Sequence, residues 1–164
     1  MSTTPAHSEL SNERTMPDDH VLQGLAMTVV DVDGAEWAVR MDVTPKVVNG
    51  GGALQGGLLA TLIDIVAGTA LLKGPEPYDQ TSTMDMHVTY HAGARIGPVL
   101  ATGHVLRRGG RTASVRVEVV DLGAKGLHVA TGMLTFAARR LPPEESHKAS
   151  AGWLMGIDGR SSIQ

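Results

Sequence analysis

One stretch of the chain limits its possible folds more than any other: residues 49–72 read NGGGALQGGLLATLIDIVAGTALL. It opens with glycines, becomes apolar nearly all round, and carries a single charged side chain, Asp64. Residues 58–72 have helical length, and Lys73-Gly74-Pro75 follows as a cation and two helix breakers. A carboxylate in an apolar helix is costly unless a partner compensates its charge. The sequence therefore predicts a long helix in which Asp64 has either a structural partner or a chemical function.

The same stretch is nearly long enough to span a bilayer. It contains Asp64, Thr61, Thr69 and several glycines, however, and no aromatic belt flanks it. These features favour a buried helix of a water-soluble domain and predict no membrane contact. With 42% hydrophobic and 19% charged residues, the 164-residue chain has the composition of one globular domain.

Charge and cysteine content exclude several function classes. A formal net charge of −3, no long basic cluster and 3% aromatic residues argue against a nucleic-acid partner. The chain has no cysteine, which excludes disulfides, thiolate metal sites and a cysteine nucleophile. The first residues lack a charged start followed by an apolar core, so we expect no signal peptide and a cytoplasmic location.

Short β-rich segments flank the helix and are separated by turn signals. Two precede it, joined by the hairpin signal Asp33-Gly34, and four follow it. The predicted strands are 26–31, 35–43, 81–91, 98–108, 112–121 and 128–139. Because such short separators favour antiparallel neighbours, we predict an α+β fold, a curled antiparallel sheet wrapped around one long central helix. Residues 1–20 are predicted to form a mobile tail, 21–141 the domain, and 142–164 an appendage.

The start of the helix and Asp64 are too far apart to act on one group within a single chain. A helix that begins near Gly56 and Gly57 presents free N–H groups and a positive dipole end, which can hold an oxyanion. Asp64 lies about 12 Å further along the axis, whereas a donor and a base must each come within about 3 Å of the reacting centre. Two antiparallel copies would solve this, so we expect a C2 homodimer with composite sites. Alternatively, Asp64 is a structural residue bonded to a backbone group, a serine or a threonine.

Asn49, the glycine loop, Gln55-Gly56-Gly57 and Asp64 resemble the signature of the hotdog-fold thioesterases of the phenylacetate-degradation (PaaI-like) type. That family has an asparagine, a glycine-containing loop, His-Gly-Gly, and an aspartate nine positions after the histidine, the same spacing as from Gln55 to Asp64. The segment TSTMDMHVTYHAGARIG is similar to the family's next strand. The resemblance covers about residues 22–141 and implies a hotdog fold that assembles into homodimers and often into dimers of dimers.

The resemblance also implies hydrolysis of an acyl-CoA substrate without a metal or redox cofactor. By position, Asp64 resembles the catalytic carboxylate, and Gly56 the N–H donor to the thioester carbonyl. Asn49 resembles a polar residue at the carbonyl or water, and Thr83 a hydroxyl that helps to position water. Gln55 replaces the family's histidine. Glutamine can donate hydrogen bonds, but its amide neither gains nor releases a proton at neutral pH. An orienting role therefore survives this change and an acid–base role does not.

A basic turn between two predicted strands is a further candidate site. It carries Arg107, Arg108 and Arg111 around two glycines. Arginine pairs well with phosphate, so these side chains could bind the phosphates of CoA, or they are solvated turn charges.

Asp85, His87 and His91 share one strand face by strict alternation, and such residues can bind zinc. Their spacing along the strand is wide for one ion, and the sequence shows no obvious fourth ligand. We therefore expect a polar surface or interface at this face and no metal site.

Two other functions remain open on the same fold. In a hotdog hydratase, a histidine stands five residues after the aspartate, and this chain has Thr69 there, which argues against that activity. A non-catalytic acyl-CoA binding or sensing module is the second alternative, and Gln55 favours it. Turnover separates a thioesterase from a binding module, because only the enzyme releases product.

Overall fold

Six antiparallel strands and one long helix make up most of the described chain, which in this computed structural model comprises residues 20–142 and 161–162. The helix, α1 (Gly56–Lys73), follows the second strand in sequence. The strands are β1 (Met27–Asp31), β2 (Trp37–Met41), β3 (Gln80–Tyr90), β4 (Val99–Arg108), β5 (Thr112–Asp121) and β6 (Leu127–Arg139), and a short β7 (Ser161–Ser162) pairs in parallel with β1. The predicted tail up to residue 19 and residues 143–160 of the predicted appendage lie outside the described residues.

The strands are ordered β3-β6-β5-β4-β2-β1-β7 across the sheet, and the predicted curled antiparallel sheet with one central helix is confirmed. Strand β5 shows why this sequence forms a sheet, because its apolar residues at alternate positions are buried and the polar residues between them are not. The predicted hairpin at Asp33-Gly34 joins β1 to β2, with Gly34 at a φ of +78°. A short 3-10 helix, Val21–Gly24, precedes β1 and has no sequence pattern that predicts it.

Helix α1 lies against the sheet at a distance set by two glycines. A Cβ at Gly132 on β6 would come within 2.3 Å of Ile63 Cγ2, and one at Gly103 on β4 within 3.0 Å of Val66 Cγ1. Because the strands have no side chains at these points, the helix approaches the sheet closely. By length and apolar composition α1 could also cross a membrane, but here it packs on strands β2 to β6.

The two sides of α1 differ in burial, although both are apolar in sequence. The side on the sheet is buried and consists of Leu59, Leu62, Ile63, Val66, Ala67, Thr69, Ala70 and Leu71. The opposite side is only partly buried and consists of Ala60, Thr61, Asp64, Ile65 and Gly68. The described residues therefore cover only one face of the central helix, and Asp64 lies on the open face.

Asp121, at the end of β5, is a fully buried carboxylate that fixes the loop between β3 and β4. Its Oδ2 accepts hydrogen bonds from the N–H groups of Arg95 and Ile96 at 3.0 and 3.1 Å, and its Oδ1 from Gly97 and Ala124 at 2.8 and 3.2 Å. Burial by itself raises the pKa of Asp121, but the four backbone donors outweigh it and hold the pKa below its ordinary value. The charged carboxylate is thus the form that the fold stabilises.

Replacing Asp121 by asparagine should lower the free energy of unfolding at pH 7 by about 2–3 kcal/mol, because the amide NH₂ would face backbone donors. Since the folded pKa is depressed, the wild-type stabilisation is complete above the unfolded pKa of about 3.9 and is lost as the pH falls through the folded pKa. The difference between wild type and Asp121→Asn should therefore shrink from pH 7 to pH 3. Urea unfolding at both pH values measures it.

The matched control is Asp42→Asn, which removes a half-exposed carboxylate paired with Arg40 at 3.1 Å. We expect this change to cost less than about 1 kcal/mol. An Asp121→Asn variant no less stable than the control at pH 7 would refute the role assigned to the buried carboxylate.

Candidate functional site

Asp64 and Thr83 meet on the open side of α1, beside the edge strand β3. The Thr83 hydroxyl donates a hydrogen bond of 2.8 Å to Asp64 Oδ1. The ladder between β3 and β6 shifts register between Thr83, which pairs with Phe136, and Asp85. This bulge places Thr83 on the face of the buried Phe136, towards the helix, and leaves Asp85 on the other face. Strict alternation would put Thr83 and Asp85 on one face, so the bulge is what brings the hydroxyl to the carboxylate.

The first turn of α1 has two backbone N–H groups with no acceptor in the described part of the chain, those of Gly56 and Gly57. The N–H groups of Leu58 and Leu59 donate instead to Gln55 O, at 3.0 and 3.1 Å. No acidic side chain lies in this turn, and the Gln55 side chain does not cap it. Two N–H groups and the positive end of the helix dipole therefore form a site for a developing negative charge.

Folding alone does not require glycine at the start of α1. Neither Gly56 nor Gly57 has a positive φ, and a Cβ at Gly57 would lie 3.9 Å from the nearest atom, Gln55 Oε1. At Gly56 it would meet the Tyr90 ring at 3.5 Å, an ordinary van der Waals contact. Glycine within a helix costs up to about 1 kcal/mol relative to alanine. Two helical glycines with room for a side chain leave this backbone open to close approach by a ligand.

Asn49 holds the glycine loop through its side-chain oxygen. Its Oδ1 accepts the N–H groups of Gly51 at 2.9 Å and of Ala53 at 3.3 Å. Because the loop occupies Oδ1, the orientation of the amide is fixed, and only Nδ2 remains to act on a ligand. Asn49 can therefore donate a hydrogen bond to a carbonyl or a water, but it cannot act as an acceptor.

Two further residues at this end of the helix, Tyr90 and Arg95, have no sequence signal that marks them as functional. Tyr90, the last residue of β3, donates a hydrogen bond of 2.9 Å from its hydroxyl to Gly56 O. Arg95, in the loop after β3, donates to Gly51 O. Alternation marks Tyr90 only as part of the apolar face of its strand, and no pattern separates Arg95 from a solvated cation. Gln55, a predicted site residue, is exposed.

Within one chain, the predicted catalytic residues form two separate groups. Asn49, Gln55 and Gly56 lie at the start of the helix, whereas Asp64 and Thr83 lie two turns further on. Eight residues of helix separate the groups by about 12 Å along the axis. Neither group has both an oxyanion donor and a carboxylate, so one chain does not complete the predicted set.

The arginines predicted to bind CoA lie at the far end of α1. Arg108 donates to Ala70 O at 3.3 Å and so stabilises the C-terminal end of the helix. Arg107 and Arg111 are exposed on the same β4–β5 hairpin. Ala70 is six residues beyond Asp64, or about 9 Å along the axis, so the hairpin is nearer to the carboxylate than to the start of the helix.

The polar face of β3 carries Asp85 and His87, and His91 directly follows the strand. Among the described residues, no three histidine, aspartate or glutamate side chains come together as metal ligands. His91 packs against the ring of His128, with centroids 4.6 Å apart, and its Nε2 lies 3.0 Å from Thr131 Oγ1. His91 therefore contacts side chains of the neighbouring strand β6.

Comparison with known proteins identifies similar sequences and structures in one family. The model of the thioesterase superfamily matches residues 51–126. Human acyl-coenzyme A thioesterase 13 is 33% identical over 110 residues, which cover 66% of this chain and 77% of the human protein. The crystal structure of mouse thioesterase superfamily member 2 is 31% identical with a TM-score of 0.61, covering 72% of this chain and 84% of the mouse chain. A Bacillus halodurans protein solved with CoA is 24% identical with a TM-score of 0.57, covering 67% and 70%.

Replacing Gly57 by alanine should not destabilise the fold, because the added Cβ meets no atom closer than 3.9 Å. We expect Gly57→Ala to raise the free energy of unfolding by up to about 1 kcal/mol. The matched control is Gly132→Ala, whose Cβ would lie 2.3 Å from Ile63, and which should lower it by about 1–3 kcal/mol. Urea unfolding followed by circular dichroism measures both. If Gly57→Ala destabilises as much as the control does, the fold itself requires this glycine.

Proposed function

Because this chain belongs to the thioesterase superfamily, we propose that it hydrolyses acyl-CoA thioesters to a free acid and CoA, as a PaaI-like hotdog enzyme. The observation that carries the proposal is the pair of N–H groups at Gly56 and Gly57, which have no acceptor among the described residues. Asp64, on the same helix, accepts a hydrogen bond from Thr83. A relative named acyl-coenzyme A thioesterase and a structural neighbour solved with CoA support CoA as the leaving group.

In the proposed reaction, the thioester oxygen lies at the Gly56 N–H, which stabilises the negative charge of the tetrahedral intermediate. Asp64 removes a proton from the attacking water. Thr83 already donates to Asp64 Oδ1, so the lone pairs of its oxygen remain to hold that water. The intermediate then expels CoA thiolate, which takes the proton from Asp64, since the ordinary thiol pKa of about 8.5 is well above that of a carboxyl.

Direct attack by Asp64 is the alternative first step. The carboxylate would form a mixed anhydride with the acyl group and release CoA, and water would then hydrolyse the anhydride. Single turnover in ¹⁸O-labelled water tests this route: label in the Asp64 carboxylate would exclude attack by water alone, because label enters that carboxylate only if it attacks.

Several features of the single chain support a composite site in a C2 dimer. Strand β3 ends the sheet with eleven residues, and Met84, Met86 and Tyr90 on it are 64%, 41% and 51% exposed. A long, exposed edge strand with apolar side chains is a template for pairing with a second chain. The open face of α1 adjoins this edge. An antiparallel arrangement of two such helices would bring Gly56 of one copy beside Asp64 of the other.

In this dimer, the β4–β5 hairpin nearest each site belongs to the chain that supplies Asp64. We propose that Arg107 and Arg111, both exposed, bind the phosphates of CoA at the end of its extended arm. Arg108 instead acts on the fold, because its guanidinium already donates to the carbonyls of Ala70 and Glu76.

Gln55 favours a second candidate function, that of a non-catalytic acyl-CoA binding module. The side chain is exposed beside the free N–H groups and cannot exchange a proton at neutral pH. In the thioesterase mechanism above, no step needs a proton at position 55, since Asp64 both accepts and returns it. Binding of acyl-CoA without release of thiol would favour the binding module.

Replacing Asp64 by asparagine should lower kcat by about 10²- to 10⁴-fold, because the amide cannot accept a proton from water. Release of free thiol from short, medium, long and aryl acyl-CoAs measures this and identifies the preferred acyl group. The matched control is Asp85→Asn on the opposite face of β3, which should keep wild-type kcat. Equal activity of Asp64→Asn and wild type would exclude the proposed mechanism.

The composite site can be tested by mixing two inactive variants. Gly56→Pro removes the N–H donor, yet proline suits the first position of a helix, and the extended Gln55 before it is compatible with proline. Gly56→Ala, which keeps the N–H, is its control. A dimer of one Gly56→Pro chain and one Asp64→Asn chain has one site with both groups intact, so it should regain about half of the wild-type activity. Purified mixed dimers without activity would place the whole site in one chain.

A further inference from the structure

The side chain of Tyr90, on the edge strand β3, contacts the candidate oxyanion site at the start of α1. Its hydroxyl donates a hydrogen bond of 2.9 Å to Gly56 O, and its ring lies 3.5 Å from the position of a Cβ on Gly56. We propose that Tyr90 is a positioning residue for the thioester hydrolysis proposed above: it holds and polarises the peptide group between Gly56 and Gly57, so that the Gly57 N–H becomes a second oxyanion donor. This inference rests on the proposed function.

The carbonyl of Gly56 and the N–H of Gly57 belong to the same planar amide. A hydrogen bond to the carbonyl oxygen draws electron density from the nitrogen and strengthens the N–H as a donor, by about 10–30% per bond. The Gly57 N–H has no acceptor among the described residues, so a ligand can receive the strengthened donor.

The preceding peptide group is polarised in a similar way. Gln55 O accepts the N–H groups of both Leu58 and Leu59, and its own amide partner is the N–H of Gly56. Both unused donors at the start of α1 therefore lie in peptide groups whose carbonyls receive additional hydrogen bonds. Donors fixed in this way need little rearrangement as charge develops on a carbonyl oxygen.

The fold has little need of the Tyr90 hydroxyl. Gly56 is the first residue of an α-helix, so the hydrogen-bond ladder of the helix already uses its carbonyl. Tyr90 is 51% exposed and lies on an edge strand, away from the buried core. A second bond to a carbonyl that is already satisfied, made by a half-exposed side chain, is better explained by its effect on the adjacent donor than by folding.

The chain offers a matched control for removal of this hydroxyl. Tyr78 also donates to a backbone carbonyl, that of Gly109 at 2.6 Å, but it is buried and lies near the opposite end of α1. Tyr90→Phe and Tyr78→Phe each delete one tyrosine hydroxyl that bonds to a glycine carbonyl. Only the first deletion touches the proposed oxyanion site.

The test compares steady-state kinetics of wild type, Tyr90→Phe and Tyr78→Phe on the best acyl-CoA of the panel. For Tyr90→Phe we expect kcat to fall about three- to tenfold while KM stays within about twofold, since the hydroxyl acts on charge that develops in the transition state. Tyr78→Phe should lower the unfolding midpoint and leave kcat at saturating substrate unchanged; because Gly109 lies in the hairpin that carries Arg107 and Arg111, an effect on CoA binding would appear in KM alone. A Tyr90→Phe enzyme with wild-type kcat, or one that loses activity only in proportion to stability, would overturn the proposal.

A spectroscopic measurement reports on the polarisation itself. An acyl-CoA with ¹³C at the thioester carbonyl is bound to Asp64→Asn, which turns it over slowly, and the carbonyl stretch is recorded by isotope-edited infrared difference spectroscopy. Adding Tyr90→Phe should shift the stretch to higher frequency, and adding Tyr78→Phe should not. No wild-type turnover on any acyl-CoA would overturn the proposed function and this role with it. Wild-type turnover with an unshifted carbonyl would overturn the role of Tyr90 alone.

Discussion

The close contact between α1 and the sheet determines where Asp64, the carboxylate of the candidate site, lies. Gly132 and Gly103 leave no side chain between strand and helix, so Ile63 and Val66 rest almost on the strand backbone. Because the helix lies so close to the sheet, Asp64 on its opposite side lies beside the edge strand β3. There it accepts a hydrogen bond from Thr83. The position of the carboxylate thus follows from the absence of side chains on the sheet beneath it.

The other end of the site depends on a buried charge. Asp121 fixes the backbone of the loop after β3 through Arg95, Ile96 and Gly97. The same loop accepts the Leu54 N–H at Ala94 O, at 2.7 Å, one residue before the helix cap. The chain entering α1 is therefore tied through the loop to the core of the sheet. Backbone donors held in this way are already oriented when a ligand arrives, as stabilisation of an oxyanion requires.

Local patterns in the sequence predict nearly all of the fold. The alternation of apolar residues and the glycine turns locate the strands to within a few residues, and Lys73-Gly74-Pro75 locates the end of the helix. The helix begins at Gly56, where its free N–H groups were expected, although the apolar run starts only at Leu58; the carbonyl of the extended Gln55 accepts the first N–H groups of the turn. Such a cap is a property of backbone geometry, and no side chain in the sequence signals it.

The candidate site was less accessible to sequence reasoning than the fold. Spacing and family resemblance singled out Asp64, Gly56 and Thr83, but period-2 alternation puts Thr83 on the wrong face of its strand, and the bulge that corrects this has no sequence signature. Alternation marks Tyr90 only as an apolar strand residue, because its contact with the helix start joins residues 34 positions apart. Contacts between distant segments are what local patterns cannot supply.

Gly56, which supplies the donor, and Asp64, which supplies the carboxylate, lie on one helix, and this constrains the geometry of the proposed dimer. Loops can shift by an ångström or more between states, but the rise of an α-helix keeps Gly56 and Asp64 about 12 Å apart. In the proposed dimer this fixed length becomes the distance between the two sites, because each site uses the donor of one helix and the carboxylate of the other. Each active site would then be as well defined as the packing of two helices across the dyad. Catalytic geometry and dimer geometry would be set by the same contact.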